Sequence, residues 1–276
     1  KTFIVNDSKK RVINSPQFED HILHHIIFKH LEKIFEKIFI ENSFANRKLK
    51  GNHKAVLKLQ KESQNYKYFL KLDINKYFYS IDQIILLTQI KRKISDKNIL
   101  YYIELIIQSY YEKHIKNNLT KNKTGIPIGN VTSQIFANIY LHDLDFYIEH
   151  KIKPKLKKHN QKLFYIRYVD DFIILTNNKN NLIKIQNLIL NFLKIKLKLL
   201  ISDNKIILNK IDCGIPFLGY IIFKNKLKVK NDTIKRFKKK IKNYSNEDKI
   251  TSLISFKGHC DLANKQLFFS LKNKLL

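Results

Sequence analysis

The sequence predicts an α+β fold in which an antiparallel sheet is backed by helices. Three observations carry this expectation. Helix-spaced and strand-spaced apolar segments alternate irregularly, unlike the regular β–α repeat of a doubly wound parallel sheet. Apolar β-forming arms from Leu163 to Leu175 meet at a polar tip and read as a hairpin. Only four prolines and six glycines occur in 276 residues, so continuous helices and strands must meet at tight joints.

Taken in order, apolar spacing predicts a long helix from about Glu19 to Phe39, a polar loop Glu41–His53 and a strand Tyr68–Ile74. Helices follow at about Gln83–Lys93 and Ile99–Lys116. A loop, Gly125–Gly129, opens a helix from Thr132 to about Lys151, and the hairpin follows at Leu163–Leu175. A helix at Asn180–Lys196 and strands near Lys205–Leu208 and Phe217–Phe223 complete the central part. From Lys228 onward the chain is expected to be helical and very basic.

With 53 Lys+Arg against 23 Asp+Glu, the formal net charge is +30. An AT-rich codon bias toward Lys, Ile and Asn accounts for part of it, and a polyanionic partner for the rest. Hydrophobic content of 44% excludes a disordered basic tail. Lys or Asn interrupts every apolar run, so no membrane partner is expected. Cys213 and Cys260 form no CxxC pair, and the opening stretch has no signal-peptide shape. A cytoplasmic protein is expected. No methionine occurs, so Lys1 is not expected to be the natural start. His21, His24, His25 and His30 share the first helix without a completing Cys or carboxylate pair, and are expected beside nucleic acid rather than on a metal.

Chemistry concentrates in three segments. Tyr165-Ile-Arg-Tyr-Val-Asp-Asp-Phe-Ile-Ile-Leu175 sets Asp170 and Asp171 at the hairpin tip. Tyr68-Phe-Leu-Lys-Leu-Asp-Ile74 is a strand ending at Asp73. If these strands pair, three carboxylates converge on one edge of the sheet. Two such charges about 4 Å apart repel by roughly 4 kcal/mol at an effective dielectric near 20, which a hard divalent cation relieves. A structural turn is the other reading of these acids. The third segment, Gly125-Ile-Pro-Ile-Gly-Asn-Val-Thr-Ser-Gln134, brings close backbone approach to a helix start, suited to an anion or nucleotide edge, or to a plain loop-to-helix joint.

Together these segments resemble a reverse transcriptase, with Asp73, the Gly129-x-x-x-Ser133 loop and Tyr168-Val-Asp-Asp171 in the family's order. The resemblance covers nearly the whole chain. Lys9-Lys-Arg-Val-Ile13 and Ser43-Phe-Ala-Asn-Arg-Lys-Leu-Lys-Gly51 resemble the two fingers motifs. Asp203-Asn-Lys-Ile206 resembles the lysine-bearing motif, and Phe217-Leu-Gly-Tyr220 the primer grip. The resemblance implies a right-hand polymerase fold, with fingers at 1–67, palm at 68–226 (fingers-proximal helices about 98–124) and a helical thumb at 227–276.

It also implies roles. Asp73 and Asp170 are the principal metal ligands, with Asp171 close by and the Ile74 carbonyl available to one of two Mg²⁺ ions, Mn²⁺ substituting. Phe78 falls at the steric gate against a ribose 2′-OH, or is a core aromatic. Arg11 grips the incoming triphosphate, and Arg47 does so or meets template phosphate. Lys205 serves the pyrophosphate leaving group, or is a solvated charge. Ile128, Gly129, Ser133 and Gln134 touch the nucleotide and template base. Tyr168, Phe217, Leu218 and Gly219 support the primer, while Arg236 and Lys239 track the duplex or face solvent. Arg167 faces phosphate or solvent beside the hairpin.

Ile128 stands where most of the family has Gln, and Gln134 where most has Pro. That variant, with Ala-Asn-Ile-Tyr-Leu141, Phe18-Glu-Asp-His-Ile-Leu-His-His25 and Lys50-Gly-Asn-His-Lys-Ala55, is similar to the enzymes of diversity-generating retroelements. The resemblance implies a prokaryotic or phage-encoded enzyme that copies template RNA with errors opposite adenine. Its partners would be dNTP, cDNA or primer, a structured non-coding RNA and a small basic accessory protein. Defence-associated, retron and group II intron reverse transcriptases are the alternatives, with a non-catalytic basic RNA-binding protein more remote.

Overall fold

The computed structural model describes residues 2–6, 10–14, 16–114, 123–242, 244–263 and 265–275. An antiparallel ribbon, β1 (Thr2–Asn6) and β2 (Lys10–Asn14), precedes α1 (Phe18–Phe35), α2 (Asn52–Ser63) and β3 (Tyr68–Asp73). A single turn α3 (Tyr77–Ser80), α4 (Gln83–Lys91) and α5 (Lys97–His114) follow. Next come α6 (Val131–Tyr147), a π-helical turn at Ile148–Ile152, α7 (Lys153–Lys158), and the hairpin β4 (Leu163–Tyr168) and β5 (Asp171–Thr176). Beyond α8 (Lys179–Leu197) lie β6 (Ile206–Lys210), β7 (Ile215–Phe217), β8 (Tyr220–Ile222) and β9 (Leu227–Val229). The helices α9 (Asn231–Ile241), α10 (Asn246–Ala263) and α11 (Lys265–Leu275) close the chain.

The expected antiparallel sheet is present, four-stranded in the order β4-β5-β3-β6. Strand alternation divides the molecule about it. Leu70, Leu72, Tyr165, Phe172 and Ile174 face a core shared with α1, α4, α5, α6 and α8. Phe69, Phe164, Ile166, Ile173 and Leu175 face a second core, shared with α2, the β7-β8-β9 sheet, α10 and α11. Both faces of β3, β4 and β5 are therefore largely dry, the edge strand β6 is partly exposed, and the acids gather at the strand ends.

Several boundaries differ from expectation for identifiable reasons. The first helix stops at Phe35 because the chain then turns around the Arg47 guanidinium. The segment 52–63 has no helix in the sequence reading, yet α2 forms there, burying Ala55, Val56 and Leu59 beneath a polar outer face. The strand expected at Phe217–Phe223 is a hairpin, because Leu218 (φ +48°) and Gly219 (φ +86°) reverse the chain. Lys228 pairs with Ile221 in β9 before the last helices begin. The helix expected to reach Lys116 runs to His114, and residues 115 and 116 lie outside the described residues.

Candidate active site

Asp73, the last residue of β3, pairs directly across from Asp171, the first of β5. Tyr168 opposite Asp171 closes the hairpin over a two-residue turn, Val169 and Asp170. Val169 has φ +55°, a left-handed conformation that a β-branched residue adopts only under constraint. Directly opposed side chains share a sheet face, so Asp73 and Asp171 project together, with Lys71 two residues back on the same side.

Two lysines enter this acidic edge. Lys71 Nζ lies 2.5 Å from Asp171 Oδ2 and 5.8 Å from the Phe217 ring centroid. Lys205 Nζ donates to Asp73 Oδ1 and, at 3.1 Å, to the Ile74 carbonyl. Burial, with the Asp73 and Asp171 carboxylates adding to it, pushes Asp170 up to about 6. Burial also raises Asp171, against the opposing pull of Lys71, and its Oδ1 is buried without a hydrogen-bond partner.

This donor set fits a hard divalent cation. The Lys205 ammonium already converges with Asp73 Oδ1 and the Ile74 carbonyl, two oxygens of the kind such an ion prefers. Among the described residues no group of three or more His, Cys, Asp or Glu side chains forms a metal cage, so the chain offers part of a coordination shell. The histidines of α1 divide. His24 is buried, while His21 and His25 sit on the outer face with Phe18, Ile22 and Ile26.

The glycine-bearing loop is tied to the same region. Phe78, half-buried against the first core, accepts from Ile126 N through its carbonyl (2.9 Å), and Gly125 N donates to the Ile81 carbonyl (2.8 Å). Two backbone hydrogen bonds thus tie the turn of the gate candidate to the loop. Gly129 has φ +116°, which favours glycine. Ile128 is half-buried, Gly129 and Gln134 are exposed, and Ser133 Oγ is buried without a partner. His24 braces the loop from α1, with Nε2 3.2 Å from Asn130 Nδ2 and Nδ1 2.8 Å from Thr132 Oγ1. Burial lowers its pKa, consistent with a neutral ring that accepts at one nitrogen and donates from the other.

Two expectations are corrected by this geometry. Arg47 is only 5% exposed at its side chain, bonds Glu36 through Nε (3.0 and 3.1 Å), and caps the carbonyls of Ile40 (2.5 Å) and Ser43 (2.9 Å). Its fork closes a turn and leaves no free face for a triphosphate or a template phosphate. Phe217 is 1% exposed and anchors the second core, so only Leu218 and Gly219 at the tip of its hairpin reach the surface. Arg11 lies in β2 opposite Val5, and its side chain falls outside the described residues. Tyr168 is half-buried beside the acids, whereas Arg236 and Lys239 are exposed on α9.

Sequence reasoning misses Lys71 and misplaces Arg167. The period of two along β3 was sufficient to put Lys71 on the face of Asp73. Arg167 faces neither phosphate nor solvent: it is fully buried, ion-paired to Asp145 of α6 at 2.6 Å. Its position in an apolar strand, as one of five arginines, was the available signal.

The family described as reverse transcriptase (RNA-dependent DNA polymerase) matches residues 5–222. The group II intron-encoded protein LtrA of Lactococcus lactis subsp. cremoris is 26% identical over 271 residues, covering 79% of this chain and 45% of its own length. The putative COX1/OXI3 intron 2 protein of Saccharomyces cerevisiae is 27% identical over 238 residues, covering 69% of this chain and 28% of its own length. The chain thus spans less than half the length of these curated relatives. Among solved structures, telomerase from Candida tropicalis in complex with a fragment of telomeric RNA superposes with a TM-score of 0.60 at 18% identity, over 93% of this chain and 48% of that one. That likeness is one of fold, the mixed helical and antiparallel architecture of a right-hand polymerase. No helix among the described residues is long and apolar enough to cross a membrane.

Proposed function

The chain belongs to the reverse transcriptase (RNA-dependent DNA polymerase) family, and from that premise we propose that it is an RNA-directed DNA polymerase acting by metal-assisted nucleotidyl transfer. The observation that carries the reading is the set of oxygens at the strand ends, where Asp73 and the Ile74 carbonyl meet one ammonium beside Asp170. On this reading residues 1–67 act as fingers, 68–226 as palm and 227–276 as thumb.

Asp73, Ile74 and Asp170 would hold Mg²⁺ or Mn²⁺, with substrate phosphates completing the shell. When bound, such ions supply Lewis-acid activation of a primer 3′-OH and neutralise the departing pyrophosphate. The chain's own residues do the positioning. Lys71 neutralises Asp171, which limits repulsion at an edge crowded with carboxylates. Lys205, whose Nζ sits at Asp73 and the Ile74 carbonyl, would donate a proton to the leaving group. Gly129, Ser133 and Gln134 frame the nucleotide, Phe78 lies against its ribose and Tyr168 supports the primer end. Exposed lysines of α9, with Arg236, meet the phosphates of an RNA–DNA hybrid, so binding weakens steeply with salt.

Two readings of the parent element stand. The intron-encoded relatives favour a group II intron reverse transcriptase. Ile128 and Gln134 favour a diversity-generating enzyme, because an aliphatic side chain beside the nucleotide packs without hydrogen-bonding and so discriminates less. Primer extension on a defined RNA with dNTPs and Mg²⁺, sequenced and run beside Asp170→Ala/Asp171→Ala, tests all of this. Acid-dependent cDNA supports the polymerase. Errors concentrated opposite adenine select the diversity-generating reading, and accurate copying turns the assignment toward the intron or defence-associated groups. No extension with cognate RNA and any accessory protein supplied leaves a non-catalytic RNA-binding protein.

A further inference from the structure

Arg167 spends its whole guanidinium inside the protein. Nε and Nη2 form a bidentate pair with Asp145 of α6 (2.8 and 2.6 Å), and Nη1 donates to Asn138 Oδ1 (3.1 Å) and to the Val169 carbonyl (3.0 Å). Tyr165 adds its hydroxyl to Asp145 Oδ1 at 2.7 Å, and Asn138 Nδ2 donates to the Ala45 carbonyl at 2.8 Å. The Arg167 backbone accepts from Phe44 N and donates to the Asn42 carbonyl. Arg167 thus joins the hairpin and the helix that starts at the glycine loop through its side chain, and the 42–45 segment through its backbone.

A buried ion pair is weak evidence for stability, since desolvation offsets much of its attraction. Its specific contact here is with Val169, whose left-handed backbone immediately precedes Asp170. Such strain persists only where neighbouring groups over-determine it. The Val169 carbonyl is the part of the turn that Arg167 holds, and its orientation determines the peptide plane from which the Asp170 carboxylate projects.

We infer that Arg167, itself aligned by Asp145, is the positioning residue that locks the Val169 turn and so aims the Asp170 carboxylate into the cation site. The inference rests on Asp170 being a metal ligand, as proposed above. Lysine cannot replace this residue, because a point charge cannot serve a bidentate carboxylate and the turn carbonyl together.

The test uses the whole chain with Mn²⁺ alone as probe, its binding read by electron paramagnetic resonance, beside primer extension and thermal unfolding. Arg167→Lys keeps a cation opposite Asp145. Tyr165→Phe/Asp145→Leu/Arg167→Met removes the network while leaving an apolar filling that folds without an unpaired charge. Both are expected to bind Mn²⁺ roughly 10–100-fold more weakly, the usual cost of losing a partner that orients a ligand, and to lose kcat in proportion with KM for dNTP little changed. A folded variant of either kind with unaltered Mn²⁺ affinity and kcat overturns the inference and leaves Arg167 a core ion pair. Asp170→Ala separates the two failures: if it too keeps full Mn²⁺ affinity, the metal-ligand reading falls first and takes this inference with it.

Discussion

Lys71 and Asp171 form an ion pair, 2.5 Å from Nζ to Oδ2, in the middle of an edge that also carries Asp73 and Asp170. The adjacent acids of the hairpin are thereby unequal, since among the described residues Asp171 has an ion-pair partner and Asp170 has none. Asp73→Ala and Asp170→Ala are each expected to abolish primer extension, whereas Asp171→Asn should cost only about 10–100-fold, as for a residue that orients its neighbours. Equal losses at 170 and 171 in single-turnover assays would overturn this ranking.

Lys205 bridges Asp73 and the Ile74 carbonyl at the foot of β6. Its replacement by methionine should lower kcat on the order of 10²-fold, the contribution of a positioned proton donor, with primer–template affinity unchanged. A filter-binding titration beside single-nucleotide kinetics separates the two quantities. Lost affinity with normal kcat would mark Lys205 as a phosphate-binding charge.

Phe78 is bonded through its backbone to the loop residue Ile126. Shortening it to valine is expected to raise rNTP use relative to dNTP on the order of 10–200-fold, the range that steric differences in a pocket supply. If the ratio of kcat/KM values stays put while Tm drops, Phe78 is a core aromatic and the gate lies elsewhere.

Arg47 staples its turn through Glu36 and two carbonyls. Arg47→Ala should destabilise the fold by about 1.5–3 kcal/mol, as expected for charged hydrogen bonds lost from a mostly buried site. A chemical denaturation series checks this. KM for dNTP, measured where the variant is folded, is expected to stay within about two-fold of the parent. A large rise in KM at unchanged stability would return Arg47 to the triphosphate.

His24 contributes a pH dependence whose sign is fixed by its environment. Burial holds its folded pKa below the ordinary 6.5, so the unfolded chain takes the proton first on acidification. The stability that neutral His24 contributes is complete above about 6.5 and is lost as pH falls from there through the lower folded pKa. Asp170, raised to about 6, acts in the opposite sense, so the informative comparison is His24→Gln against the parent. Melting curves between pH 7.5 and 5.5 should show a shallower loss for the variant. An identical slope would remove His24 as the titrating group.

Sequence reading succeeds where the signal is local and fails where it depends on partners distant in the chain. Short apolar runs that end in acids, Tyr68–Asp73 and both arms of the hairpin, are sufficient to place Asp73, Asp170 and Asp171 at neighbouring strand ends. The α2 helix was hidden because Asn52, His53 and Lys54 look like loop, and only packing against β4 and β8 shows its buried stripe. Arg47 was misplaced because one arginine in a polar stretch resembles a phosphate ligand until Glu36, eleven residues earlier, turns back to meet it. Arg167 and Asp145 are 22 residues apart and meet only when β4 packs on α6. Nothing in local spacing announces a buried pair of that kind.

The four-stranded sheet is clad in apolar side chains on both faces, and the helices behind one face belong to a different core from those behind the other. A substitution in α8 therefore disturbs a different set of neighbours from one in α10, and repair in either core need not consult the other. The strand residues answer to both, and the hydrogen bond from Asn138 to the Ala45 carbonyl adds a second tie. A change confined to the C-terminal helices reaches Asp73 and Asp170 chiefly through the strands of the plate that carry them.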